Sequence, residues 1–401
     1  MGQPLENLSL GHRQVLNSIR SRGSATRNDI SEDTDISPTT VFRIVSELLE
    51  NEFILSDESA SKVSSDYEDA SKMSKPTKGP EPVLYRVNPE VGNFLGVGVG
   101  SKHVILELID FDFRVKGLGE KDFRKETKGN ISSTLEVIQG LIDKFIDDKN
   151  EEAKKIIGIG FAWPGAVDNV KGIARFSPNI NFFREVRLSN ILTSRQLEFF
   201  KDKAIVIEHN TSCLALAEKE IGNCEGRARH SKNFVSILLG SGIAAGLFLN
   251  NELYRGAHNY AGELGHIVVD ENSDVLCKCG KKGCLQTKIT EVLGTKFTDD
   301  NDYATQFENL NDDDRRYISS ELGRWIGKGI SYIINLFNPE VVVFGGYISE
   351  LFDSFYMQMD YVLKNSCWIY GYEKLHIEQT KLGRNGTAIG AAIASYRKLT
   401  T

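Results

Sequence analysis

Three cysteines and a histidine stand close enough along the chain to hold one metal ion: His266, Cys277, Cys279 and Cys284. Three of the six cysteines fall within eight positions, a spacing that favours metal over disulfides. Thiolates with an imidazole are the donor set that four-coordinate structural zinc prefers. Gly280 and Gly283 permit a tight knuckle that turns the sulfurs to one point, and Lys278, Lys281 and Lys282 favour thiolate over thiol. Four protein donors leave no open position, so the expected zinc is structural rather than catalytic. The competing reading is a loop of free thiols. The other cysteines, Cys213, Cys224 and Cys367, are scattered and read as buried thiols.

A second set of side chains lies near the start. Ser37 suits an N-cap and Pro38 the first helical position. Val41, Ile44, Val45, Leu48 and Leu49 then recur at helical spacing as a buried face. The opposite face carries Thr39, Thr40, Arg43 and Ser46, where a helix-turn-helix presents side chains to the major groove. These elements need partners. Val15, Leu16 and Ile19 mark a first helix, and Ile30 a second, capped at Ser24 or Thr26. Residues 53–55 and 83–87 can pair as a wing, with the polar stretch 56–78 as disordered insertion or wing loop. Residues 1–90 hold ten Lys and Arg against fifteen Asp and Glu, which favours a three-helix interaction module without DNA. Only a local surface needs to be basic, however, and Arg13, Arg20, Arg22, Arg27, Arg43, Lys72, Lys75 and Lys78 can supply one.

The rest of the 401 residues has a different texture. Four of 36 glycines precede residue 91, and 32 follow it. Buried strands at 94–99, 156–161, 204–208, 234–239 and 341–344 alternate with helical stretches, the pattern of an α/β architecture. No apolar run approaches the roughly 20 residues of a membrane span, and the polar first ten residues lack a signal-peptide core, which implies a cytoplasmic protein.

The composite of landmarks is more specific than any one of them. Glu263-Leu264-Gly265-His266 followed by the Cys-x-Cys-Gly-x-x-Gly-Cys run resembles the signature of the ROK family (repressors, open reading frames, kinases). Gly158-Ile159-Gly160 with Pro164-Gly165, Leu239-Gly240-Ser241-Gly242, Tyr254-Arg255-Gly256-Ala257, Asn338-Pro339-Glu340 through Gly345-Gly346, and Gly390-Ala391-Ala392 resemble further family landmarks in order. The head and the Gly79-Pro80 wing strand resemble the family's repressors, which prepend a winged helix-turn-helix. The resemblance implies a head at 1–90 and an actin-like, two-lobed sugar-kinase fold. Its first lobe would be 91–210, completed by the C-terminal helix 386–401. Its second, 211–385, would carry the zinc knuckle.

Family kinases place a catalytic aspartate where this chain has Asn210, and an amide cannot take a proton at neutral pH. The first phosphate loop has Gly98 where the family has an aspartate. Both departures argue against phosphorylation. Glu208 and His209 remain candidate bases for an active kinase with an appended head. The glycines of the second loop, 240–246, read as serving turn geometry without nucleotide. The family's sugar contacts would fall on Asn179, His209, Asn210, Glu263 and His266, with Gln286 in place of a family glutamate. One His266 nitrogen would bind zinc and the other face the ligand. The implied protein is a transcription regulator, expected to be a repressor, with operator DNA, a carbohydrate or sugar-phosphate effector and a second copy of itself as partners. A degenerate cleft, or a body that docks another protein, is the bland alternative.

Overall fold

The computed structural model describes residues 8–57, 82–101, 103–117, 119–122, 131–177, 180, 184–222, 227–294, 296–297 and 302–400. Asn179, Cys224 and insertion residues 58–78 lie outside this set.

The head is three helices and a hairpin: α1 (Leu10–Arg22), α2 (Arg27–Thr34), α3 (Pro38–Glu50), β1 (Ile54–Asp57) and β2 (Leu84–Val87). Thr26, not Ser24, caps α2 through a reciprocal capping box with Asp29. Ser37 caps α3, with Pro38 in the first turn. Val41, Ile44, Val45 and Leu48 are buried, as their spacing predicts. The wing pairs antiparallel from Ile54↔Val87 to Asp57↔Leu84. Ser56 and Asp57 therefore belong to a strand rather than to the insertion, because the ladder runs two residues past the apolar run.

The body begins with β3 (Asn93–Val99), β4 (His103–Asp110), β5 (Gly119–Asp122), α4 (Ile131–Asp148), α5 (Asn150–Lys154) and β6 (Ile156–Trp163). A three-stranded sheet of β7 (Ala166–Asp168), β8 (Ile173–Phe176) and β9 (Arg184–Arg187) follows, then α6 (Leu188–Ile191), α7 (Ser194–Phe199) and β10 (Ala204–His209). Next come α8 (Asn210–Glu220), α9 (Arg227–His230), β11 (Phe234–Leu239), β12 (Ile243–Leu249), β13 (Glu252–Tyr254), α10 (Leu285–Leu293), α11 (Tyr303–Glu308) and α12 (Asp312–Phe337). The chain ends with β14 (Val341–Gly345), α13 (Phe352–Ser366), α14 (Ile369–Tyr372), β15 (His376–Gln379) and α15 (Gly386–Thr400).

Two five-stranded sheets share one topology. The first runs β10-β6-β3-β4-β5 and the second β15-β14-β11-β12-β13. In each, the first three strands in sequence form an antiparallel meander and the last two add in parallel beside the first. Such a duplication builds two lobes with a cleft between the strand ends.

The helices α8 and α15 run between the sheets. A Cβ on Gly390 would lie 1.7 Å from the Cys213 carbonyl oxygen, so the two helices cross in backbone contact. Gly96 and Gly160 do the same for α15 against the first sheet: a Cβ there would come within 1.9 Å of Ala388 O and 1.8 Å of Ala391 O. The glycines of the strands are seats for a helix.

The head packs on the body through one continuous apolar core that includes Leu16, Phe53, Phe94, Phe111 and Tyr396. Arg20 crosses this junction. Only 6% exposed, it donates from Nη2 to Phe111 O at 2.9 Å and lies 3.9 Å over the Phe113 ring and 5.2 Å from Tyr396. In return, Arg229 Nη2 donates to Arg20 O at 3.0 Å. Arg20 is therefore not part of a basic DNA-facing surface, because the aromatic cage of the body takes it. Arg22 is also engaged, in ion pairs with Asp33 (2.7 Å) and Asp29 (3.4 Å).

Candidate functional site

A short 3-10 turn at Leu264–His266 brings His266 to the knuckle. Cys277 Sγ lies 3.6 Å from His266 Nδ1, and Cys279 Sγ 3.6 Å from Cys284 Sγ. All four donor atoms fall within 4.8 Å of one another. Edges of about 3.3–3.8 Å are what a tetrahedron of metal–ligand bonds near 2.0–2.3 Å requires. The cluster can hold a metal ion. Burial and the adjacent thiols push Cys284 up to about 12. Burial would also raise Cys277, yet hydrogen bonds from the Cys279 N–H and Thr287 outweigh it and leave this thiol below its usual value. Three crowded sulfurs cannot all ionise without a cation among them. Cys367, expected to be buried, is half-exposed, because it follows the end of α13 at the surface.

Beside this cluster opens a cleft of about 1070 Å³, counting its solvent-open part. His209, Asn210, Glu263, His266 and Gln286 all line it. With Nδ1 turned to the sulfurs, His266 presents Nε2 toward Glu263 Oε2, 3.9 Å away. Burial raises the Glu263 carboxyl above its ordinary value. Gln286 is buried at the start of α10. The loops at Gly98–Ser101 and Gly240–Gly242 form the other wall. Neither Gly240 nor Gly242 has a positive φ, so the expected turn constraint does not hold there. Gly246 is needed for close approach instead: its Cβ would meet Thr211 O at 2.3 Å.

The sequence reading missed four wall residues: His103, Tyr347, Arg384 and Thr387. Arg384 is tied to Glu350 at 2.7 Å, and Thr387 is in the first turn of α15. Arg384 and Thr387 stand just before and inside the last helix, a position that does not reveal a cleft shared with Asn210, and nothing local marks His103 or Tyr347.

On the head, Thr39, Phe42, Arg43 and Ser46 are exposed along one face of α3. Ser37 is exposed, and Thr40 is half-buried with its Oγ1 2.9 Å from Ser37 Oγ. Arg43 pairs with Glu47 at 2.5 Å and keeps 61% of its side chain exposed.

Residues 94–397 match the ROK family profile, and residues 12–54 match a winged helix-turn-helix DNA-binding profile. The chain belongs to the ROK family. It is 26% identical over 400 residues to the xylose repressor of Caldicellulosiruptor bescii, across 94% of this chain and 92% of that one. A glucokinase of Thermotoga maritima is 26% identical over 279 residues, across 64% of this chain and 82% of its own. A ROK family transcriptional regulator homologous to the E. coli MLC protein shares the fold at TM-score 0.71 and 20% identity, with 97% of each chain covered.

Of the candidate bases, His209 and Asn210 line this ROK cleft, and Glu208 is held in an ion pair. Asn210 opens α8 where an aspartate was expected. Glu208 is 5% exposed, and its Oε2 accepts from Arg255 at 2.7 Å and from Asn169 at 3.2 Å. Loss of solvation pushes His209 down to about 4, and its Nδ1 is 2.6 Å from Thr211 Oγ1. Gly98 packs against α15, where a Cβ would come within 3.1 Å of Thr387 Oγ1 and 3.2 Å of Ala388 Cβ. A side chain there would need the start of α15 to give by a few tenths of an ångström. Among the described residues, no helix is long and apolar enough to cross a membrane.

Proposed function

We infer that this ROK protein is a DNA-binding transcription regulator of carbohydrate metabolism, acting as a repressor, whose kinase-like body senses a sugar without phosphorylating it. One observation carries the reading. A winged helix-turn-helix with an open α3 face is fused to a cleft that keeps hydroxyl-binding groups while its base position holds Asn210. The similarity to a xylose repressor along nearly the whole chain supports it, and makes xylose the first effector to test.

In this reading Ser37, Thr39, Thr40 and Arg43 face operator DNA. Asn179, His209, Asn210, Glu263, His266 and Gln286 contact the carbohydrate or sugar phosphate. Residues 1–90 act as the head, 91–210 with 386–401 as one lobe, and 211–385 as the other. Zinc, bound by His266 Nδ1, Cys277, Cys279 and Cys284, supplies a rigid brace rather than chemistry. It fixes the tautomer that leaves His266 Nε2 for the ligand. The helix α15 links the two functions, with Thr387 at the cleft and Tyr396 under Arg20 of the head. A ligand that favours one lobe arrangement would move that helix and the spacing of two heads in a homodimer.

The test is a low-salt retardation assay on DNA from upstream of the protein's own gene, with xylose and a panel of sugars and sugar phosphates. A shift specific against random DNA and reversed by one sugar is expected. Absence of any specific shift sinks the reading. Sugar-dependent, Mg-dependent ADP release would instead establish the kinase.

A further inference from the structure

On α3 the exposed residues Thr39, Phe42, Arg43 and Ser46 stand at i, i+3, i+4 and i+7, the outward counterpart of the buried stripe. Three of the four are polar. The fourth is a phenylalanine left 54% exposed at the middle of the stripe. The ring does not cover the core, which Val41, Ile44, Val45 and Leu48 already fill. The ring is also held. Arg27, the first residue of α2, places its guanidinium carbon 4.4 Å from the Phe42 centroid and 5.4 Å from that of Tyr85 on β2. Three elements of the head thus converge to fix one exposed ring on the face that the DNA-binding reading turns toward the groove.

In the major groove the one apolar feature of a base edge is the thymine C5-methyl group, and apolar side chains read it by contact. We propose that Phe42 is a specificity-determining residue that reads a thymine methyl in each operator half-site, with Arg27 as the residue that positions its ring. The proposal rests on the DNA-binding reading and adds a base and an atom to it. Hydroxyls at Thr39 and Ser46 can serve several bases, and Arg43 is suited to guanine or phosphate. The ring can tell thymine only from bases that lack the methyl.

The experiment uses the full-length protein and a duplex selected from fragmented genomic DNA. Each thymine of the selected site is replaced in turn by uracil, which deletes the methyl and keeps every hydrogen-bonding group. For the unmodified protein, one position per half-site should lose about fourfold in affinity, the worth of one buried methyl. Phe42→Ala should weaken the thymine duplex by at least that factor and bind thymine and uracil duplexes equally. Phe42→Leu, which keeps an apolar contact, should retain part of the discrimination, and circular dichroism checks that both variants fold. Equal binding of thymine and uracil duplexes by the unmodified protein overturns the proposal and leaves DNA binding standing. So does discrimination that survives in Phe42→Ala, including the case where that variant instead loses self-association. Recovery of no specific duplex at all overturns the regulator reading and this proposal together.

Discussion

Replacing Arg20 with alanine should loosen the head from the body more than any exposed arginine of the head would. The buried guanidinium donates to Phe111 O at 2.9 Å, and a hydrogen bond from a charged donor is worth about 1.5–3 kcal/mol. Stacking at 3.9 Å over Phe113, away from water, adds about 1–2 kcal/mol. Removing the cation also relieves its desolvation, which offsets part of the loss. The net expectation is a destabilisation of about 2–4 kcal/mol, or a urea midpoint lower by about 1 M if the slope is near 3 kcal/mol/M. Arg20→Lys keeps the charge but not the planar stack, and should lose about half as much. Two probes separate head from body. Trp163, Trp325 and Trp368 are the only tryptophans and lie outside residues 1–90, so fluorescence reports the body while far-UV ellipticity reports both. In Arg20→Ala the ellipticity transition should begin before the fluorescence transition. If midpoints shift by less than about 0.2 M and both probes stay coincident with the parent protein, Arg20 is merely covered and the reasoning fails.

The remaining expectations concern the metal, the base, the helix seat and pH. Purified protein should carry about one zinc per chain; Cys279→Ser should abolish this and, where free zinc is about 1,000 times Kd, cost about 4 kcal/mol by denaturant titration. Retained zinc in that variant contradicts the ligand set. Asn210→Asp should yield no sugar-dependent ADP release, because glycine at position 98 still leaves the second carboxylate missing. Gly160→Ala should lower stability by about 3 kcal/mol, since the added methyl meets the Ala391 backbone; an unchanged Tm would disprove the close seat.

The pH expectation rests on two buried groups of opposite sign. His209 is depressed from 6.5 to about 4, so the stability its neutral form contributes is present above pH 6.5 and lost as pH falls through 4. Burial raises Glu218, hydrogen-bonded to Thr380, from 4.5 to about 7, so its contribution is present below pH 4.5 and lost as pH rises through 7. Glu218→Gln should therefore stabilise the protein at pH 8 by up to roughly 3 kcal/mol and do little at pH 4.5. Equal effects at both pH values would show that Glu218 does not titrate between them, against the raised value.

Much of the site was legible along the chain because its signals are local. The knuckle is eight residues long, so the clustering of its three cysteines follows from spacing, and the helix faces of α3 follow from a period of 3.6. The expectation that Asn210 stands at the base position could be formed because it lies next to its motif. The bases Glu208 and His209 could not be dismissed from sequence, since Arg255 and the surrounding desolvation come from elsewhere in the fold.

By itself, the sequence determined the clustering of Cys277, Cys279 and Cys284, the buried and open faces of α3, and the alternation of strands and helices in the body. Each depends on residues a few positions apart, where backbone geometry alone decides which side chains meet. Only the tertiary structure decided that Arg20 belongs to the body and not to a DNA-facing patch. It also decided that the glycines of β3 and β6 are seats for α15, and that Arg384 and Thr387 share a cleft with Asn210. Those outcomes depend on which surfaces are brought together over hundreds of residues. No local period encodes that, because burial and close approach are properties of the assembled core.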